Sequence, residues 1–177
     1  MKTRKCKRCQ ATYEYRRSTS LYCSSACRVA QSRARKKRSV HFRSETDDWA
    51  TPHKLFDELD REYGFTLDVC ASADNAKCER FYTIADDGLT QPWHGVCWMN
   101  PPYGRTIGRW VHKARQSSRE GATVVCLLPA RTDTAWWHDE ITPHATEIRF
   151  LRGRLHFNGA SSGAPFPSAI VVFRPPA

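Results

Sequence analysis

At 177 residues the chain has room for one full domain and a small appendage. Its 40% hydrophobic and 11% aromatic content excludes a disordered chain. No apolar run nears the roughly 18 residues of a membrane span. The basic start MKTRKCKRCQ leads into no apolar stretch, so no secretory signal is read and a cytoplasmic protein is expected.

Charge divides the chain. Residues 1–43 carry 14 Lys and Arg against a single acid, Glu14, whereas residues 44–177 carry 14 against 17. A basic segment of this kind suits a polyanion, nucleic acid being the commonest, although a solvated tail has the same composition.

Four of the eight cysteines lie in this basic segment, as Cys6-x2-Cys9, thirteen residues, then Cys23-x3-Cys27. Two close pairs across a short loop suit tetrahedral coordination of one structural Zn2+. So short a segment cannot bury enough apolar surface to fold alone, and a metal would supply the difference. Two disulfides are the alternative, disfavoured without an oxidising compartment. The run after Cys27 is helix-favouring and cationic, and Arg33, Arg35, Lys36, Lys37 and Arg38 are expected to contact phosphates. The organisation read from this is a four-cysteine zinc-finger-like segment and arm over 1–38, a linker over 39–48 and a larger domain over 49–177.

Order resumes at Trp49. Thr51-Pro52 predicts a helix start, Leu55, Phe56, Leu59 and Tyr63 share its inner face, and Gly64 ends it. Phe65, Leu67 and Val69 alternate into a short strand with Asp68 at its end. Val96–Met99 is a second strand, running into Asn100-Pro101-Pro102-Tyr103-Gly104. A helix with Ile107, Val111 and Ala114 inward follows, then a buried strand over 123–129, a helix over 134–141, a hairpin of 147–151 with 154–157, and a last strand over 168–173. Strands alternating with helices predict an α/β fold with a parallel sheet and an antiparallel C-terminal edge. In such sheets ligands sit beyond the carboxyl ends of the strands, where Asp68 and Asn100 fall.

The Asn-Pro-Pro-Tyr turn is the most informative stretch. Neither proline has a backbone N–H, so the turn is rigid and offers the Asn100 amide oxygen and the Pro101 carbonyl as acceptors. Tyr103 adds an aromatic face. Two acceptors and a stacking plane match the exocyclic amino group of a base turned out of a duplex.

WMNPPYGR resembles motif IV of the S-adenosylmethionine-dependent amino-methyltransferases. The series WATPHKLFDEL, LDVCAS, NAKC, DDGL, NPPYGR, LPARTDTAWWH, GRLHF and PFPSAIVVF is similar to the phage N-6-adenine DNA methyltransferase family, from about Trp49 to Phe173. The resemblance implies a Rossmann-like class I methyltransferase sheet, methylation of adenine N6 in double-stranded DNA and a phage setting within a host cytoplasm. It implies that Asn100, Pro101 and Pro102 hold the target amino group and that Tyr103 stacks on the base. It further implies that Thr51, Asp68, Cys70 and Asp87 border S-adenosylmethionine. In a sheet of this order Arg131, Trp136 and Trp137, following the strand over 123–129, would line the cleft and contact DNA, although the two tryptophans equally suit a helix core. The chain departs from the pattern in lacking a Gly-rich turn after the first strand, where Cys70-Ala71-Ser72 stands. Methylation of RNA or of a protein glutamine amide, and an inactive zinc-finger binder of nucleic acid, are the alternative readings.

Overall fold

The computed structural model describes residues 2–15, 20–31, 49–158 and 162–176, in two compact units, Met1–Glu45 and Thr46–Ala177. The cationic arm (Arg33, Arg35, Lys36, Lys37, Arg38) and the 39–48 linker lie outside the described residues.

In the first unit β1 (Thr3–Lys5) and β2 (Thr12–Glu14) form an antiparallel hairpin, followed by helix α1 over 25–31. The hairpin is closed by a turn carrying Cys6 and Cys9, with Gln10 in the left-handed region at φ 61°. Ser24 caps α1 by accepting a hydrogen bond from the Cys27 N–H at 3.2 Å.

The second unit is built on a mixed five-stranded sheet in the order β3-β4-β5-β7-β6. Helix α2 (His53–Tyr63) leads into β3 (Leu67–Asp68) through Gly64, whose φ of 67° suits only a residue free of a Cβ penalty. β3 pairs in parallel with β4 (Val96–Met99), and β4 with β5 (Thr123–Pro129). β5 is flanked on both edges and buried from Val124 onward, which accounts for its unbroken apolar run. Helix α3 (Ile107–Arg119) turns Ile107, Trp110, Val111 and Ala114 into the core. β7 (Ser168–Phe173) runs antiparallel between β5 and β6 (Glu147–Phe150).

Three features depart from the sequence expectation. The hairpin of 147–151 with 154–157 does not form. β6 pairs with β7 instead, because Phe157 turns inward against Trp49 and Tyr103 rather than extending the sheet. The helix expected over 134–141 forms over 135–141, but its Trp137–Ile141 part is π-helical, with Thr142 N–H reaching Trp137 O. Finally, a short track over 80–82 lies parallel beside β3, with Asp68 N–H bonded to Arg80 O and Tyr82 N–H to Asp68 O, both at 2.9 Å.

Arg149 of β6 clamps the end of α2, donating to Glu62 at 2.6 Å and to the Tyr63 hydroxyl at 2.8 Å. The loop over 83–92 is held just as closely. Trp93 Nε1 donates to Gly88 O at 2.8 Å, and a Cβ on Gly88 would stand 2.2 Å from Val69 O. Gly88→Ala is therefore expected to displace this loop and lower stability in urea by about 1–3 kcal/mol, the cost of overpacking. An unchanged unfolding midpoint would contradict that tight approach.

Candidate functional site

The carboxyl ends of β3 and β4 open into a cleft of about 400 Å³, within the range of sites for small molecules. Thr51, Asp68, Cys70, Asp87, Asn100, Pro101 and Pro102 all line it. The sequence thus scatters over fifty residues a set that the sheet brings to one place.

Asn100 directly follows β4, and its amide is fixed. Nδ2 donates to Trp49 O and, at 3.0 Å, to Thr51 Oγ1. Both amide hydrogens are consumed, which settles which end of the side chain is the oxygen. Oδ1 is buried and has no hydrogen-bond partner among the described residues. An acceptor left in this state is costly unless a ligand donor completes it.

Thr51 does not cap α2, as its position suggests. Its hydroxyl serves Asn100, Pro52 takes the cap position without a side-chain hydrogen bond, and the first N–H groups of α2 stay free of a side-chain cap. Asn158, on the loop after β6, donates through its side chain to Thr51 O at 3.0 Å and through its backbone to Ala50 O at 2.9 Å. The 49–51 segment is thereby tied down from two sides.

Tyr103 sits elsewhere than on an open stacking face. Its ring is only 3% exposed, its hydroxyl donates to Leu127 O at 3.0 Å, and Phe166 and Phe157 pack edge-on at 5.4 and 6.1 Å. Burial pushes its hydroxyl well above the usual tyrosine range. The side chain braces the Asn-Pro-Pro turn against β5. Trp137 belongs to the core and Trp136 packs on Gly108, so neither lines the cleft. Arg131 is half-buried, outside the cleft lining.

Asp68 is the buried acid of the site. Its carboxylate accepts from the N–H groups of Lys77 at 3.1 Å and Cys70 at 3.3 Å, yet burial outweighs them and raises its pKa to about 6. It is ionised at neutral pH and can face a cation. Burial likewise pushes the Cys70 thiol up, so it lines the cleft as a neutral group. Asp87 is exposed at the rim, in the left-handed region at φ 49°.

Residues that composition and spacing did not single out complete the walls. Lys77 places its Nζ 3.3 Å from His53 Nδ1 at the start of α2, giving that end of the cleft a positive group. Ile84 lines the rim while 98% exposed, an apolar side chain withheld from the core, and Trp110 forms an opposite apolar wall. No periodicity marks Ile84, since the 80–92 stretch has no regular element of more than a few residues, and Trp110 shares the inward face of α3 with ordinary core residues.

In the first unit the sulfurs of Cys6, Cys9, Cys23 and Cys27 all lie within 4.8 Å of one another. Cys9 and Cys23 are 3.5 Å apart and Cys23 and Cys27 3.6 Å, far beyond a disulfide bond and close to the roughly 3.8 Å edge of a tetrahedron with 2.3 Å metal–sulfur bonds. The Arg8 N–H donates to Cys6 Sγ at 3.4 Å. Burial works against the Cys6 thiolate, but the N–H groups of Cys9, Cys23 and Arg8 prevail and bring its pKa down to about 6.

A family model described as DNA N-6-adenine-methyltransferase (Dam) matches residues 38–175. Over 144 residues the chain is 33% identical to the DNA N-6-adenine-methyltransferase of Haemophilus phage HP1, covering 76% of this chain and 83% of that protein. It is 35% identical over 112 residues to the DNA N-6-adenine-methyltransferase of Escherichia phage T1, covering 62% of this chain and 46% of that protein. The cysteine cluster lies outside the family match.

Because the folded protein holds the Asp68 proton more tightly than the unfolded chain does, this residue's contribution to stability falls as pH rises from 3.8 to about 6. Chemical denaturation of wild type and Asp68→Asn across that window should show the variant gaining up to about 3 kcal/mol relative to wild type. A pH-independent difference would contradict the burial of this charge.

Proposed function

The chain belongs to the DNA N-6-adenine-methyltransferase family, and from that premise we propose that it methylates the N6 amino group of an adenine turned out of double-stranded DNA, using S-adenosylmethionine. The observation that carries the reading is the locked amide of Asn100, whose oxygen is a buried acceptor awaiting a donor at the cleft. The exocyclic amino group of adenine is such a donor, and the Pro101 carbonyl is the second acceptor.

The donor set fits the cofactor. Its sulfonium and ammonium charges suit the ionised Asp68; its carboxylate suits the free N–H groups that open α2, with Lys77 beside them; its adenine suits the apolar walls of Ile84 and Trp110, with Asp87 at the rim. Bound there, S-adenosylmethionine supplies an electrophilic methyl group. Asn100 and Pro101 hold the amine so that its lone pair faces the cleft, Pro102 keeps the turn rigid, and Tyr103 braces it from behind. Catalysis then rests on positioning and water exclusion rather than on a general base. The sheet supports a Rossmann-like reading: three parallel strands, the 80–82 track outside β3, and an antiparallel β7 inserted before β6.

The N-terminal unit binds one structural Zn2+ through Cys6, Cys9, Cys23 and Cys27, and presents the arm carrying Arg33, Arg35, Lys36, Lys37 and Arg38 to DNA. Arg131 is a DNA contact of the catalytic unit. A host-cytoplasmic setting accords with the phage relatives, and among the described residues no helix is long and apolar enough to cross a membrane.

Labelled methyl transfer to unmethylated duplex DNA, followed by digestion and mass spectrometry, tests the reaction. N6-methyldeoxyadenosine is expected, with RNA and glutamine peptides unlabelled; label confined to RNA or peptide would overturn the substrate. Asn100→Ala is expected to lower kcat by at least about 100-fold, the scale of a lost transition-state contact, while calorimetric binding of S-adenosylmethionine is retained. Zinc analysis should give one ion per chain, lost with Cys23→Ser.

A further inference from the structure

The overall acidity of residues 44–177 conceals a division at the mouth of the cleft. Strands β3, β4, β5 and β6 run in one direction, so the segments after them emerge at the same end of the sheet. The stretch 69–92, on the Asp68 side, holds Asp74, Glu79, Asp86 and Asp87 against Lys77 and Arg80. Segments 100–109, 130–134 and 151–158, after β4, β5 and β6, hold five arginines against Asp133 alone.

We propose that Arg105, Arg109, Arg131, Arg152 and Arg154 form a phosphate-binding rim on the catalytic unit, gripping the DNA backbone around the target base. The proposal rests on the DNA-methyltransferase reading above and assigns that site its docking surface. Three observations carry it.

The segments converge on the Asn-Pro-Pro-Tyr turn. Tyr103 bonds to Leu127 O of β5 and packs on Phe157 and Phe166 of the connection between β6 and β7, and Asn158 bonds to Ala50 and Thr51. Arginines borne on these segments therefore surround the turn that would hold the base.

These arginines also lack the carboxylates that occupy others. Arg115 pairs with Glu140 at 2.6 Å, Arg149 with Glu62 and Glu147, and Arg174 with Glu147 at 4.0 Å. None of the five rim arginines has an ion pair among the described residues, and all but the half-buried Arg131 are exposed.

The placement of Arg105 and Arg109 opposes helix stability. Arg105 lies in the turn before α3 and Arg109 in its first turn, where the helix dipole favours acids, and the first turn of α3 has none. No acid occurs anywhere between Asp87 and Glu120. Charge set against the helix's own interest, and facing solvent, is suited to an external polyanion. A duplex backbone supplies one, and its phosphates take guanidinium forks in two-point contact.

The division also suits two ligands of opposite charge meeting at one turn. A cationic methyl donor enters over the acidic side, and polyanionic DNA over the basic side.

The test uses the full chain and a fluorescein-labelled unmethylated duplex, with binding measured by anisotropy from 50 to 300 mM salt. In Arg105→Gln/Arg109→Gln, the slope of log K against log salt should fall by about 1.8, and in Arg152→Gln/Arg154→Gln by a similar amount. Arg61→Gln/Arg119→Gln, arginines off this rim and without an ion pair among the described residues, should leave the slope within about 0.3 of wild type. S-adenosylmethionine binding by calorimetry should be unchanged throughout, which reports an intact fold. Rim variants that keep the wild-type slope while wild type methylates DNA overturn the rim alone, as does an equal loss in the control pair. Rim variants that lose the slope while wild type transfers no methyl to DNA overturn the reaction and leave the rim standing.

Discussion

The site depends on one hydrogen-bonded side chain. An asparagine amide can rotate by half a turn and exchange acceptor for donor, and a base-binding site built on it would then present the wrong group. Here both hydrogens of Asn100 are committed, to Trp49 O and Thr51 Oγ1. Rotation would set the amide oxygen against the Trp49 carbonyl and bury an unpaired N–H, at a cost of about 1–3 kcal/mol. The fold devotes several elements to this lock. α2 is reached through Thr51, Asn158 ties Ala50 and Thr51 to the loop after β6, and Trp49 packs on Phe157 and Phe166.

The same aromatic group braces the turn from the other side. Tyr103 closes on Phe157 and Phe166, and its hydroxyl reaches the backbone of β5. Trp49, Tyr103, Phe157 and Phe166 thus form one cluster beneath the Asn-Pro-Pro turn, drawn from the start of the unit, the turn itself and the connection between β6 and β7. In the proposed reading, a base entering the site meets acceptors whose positions are already fixed, so little ordering remains to be done on binding. At the β3 end of the cleft, Asp68 is ionised at neutral pH despite burial, supported by two backbone N–H groups and with Lys77 nearby.

Elements formed by continuous apolar runs were legible from residue order: β4, β5 and β7 have the bounds that the sequence indicates, because a strand buried on both faces writes itself as an unbroken run. The Asn-Pro-Pro-Tyr turn and the cleft residues Thr51, Asp68, Cys70 and Asp87 were legible through family resemblance and strand-end position. The roles within the cleft were less so. Thr51 reads as a helix cap, since nothing local reveals an asparagine 49 residues later competing for its hydroxyl. Tyr103 reads as a stacking face because burial by Phe157 and Phe166 is a tertiary fact. Arg154–Phe157 alternates like a strand, but the packing of Phe157 on Trp49 outweighs a hairpin's hydrogen bonds. The track over 80–82 is too short to carry a period. Charge balance over the whole unit likewise hides the contrast between its two rims, which only the strand directions disclose.

The amide lock is the claim on which the rest turns, and Thr51→Val tests it most directly. The substitution removes the hydroxyl that holds Asn100 while keeping the shape of the side chain. Single-turnover methyl transfer to duplex DNA should slow by at least about tenfold. Calorimetric affinity for S-adenosylmethionine should stay close to wild type, while the unpaired Asn100 N–H should lower unfolding free energy by about 1–3 kcal/mol. Wild-type transfer in this variant, or a defect confined to cofactor affinity, would contradict the lock and return Thr51 to the role of a simple helix start.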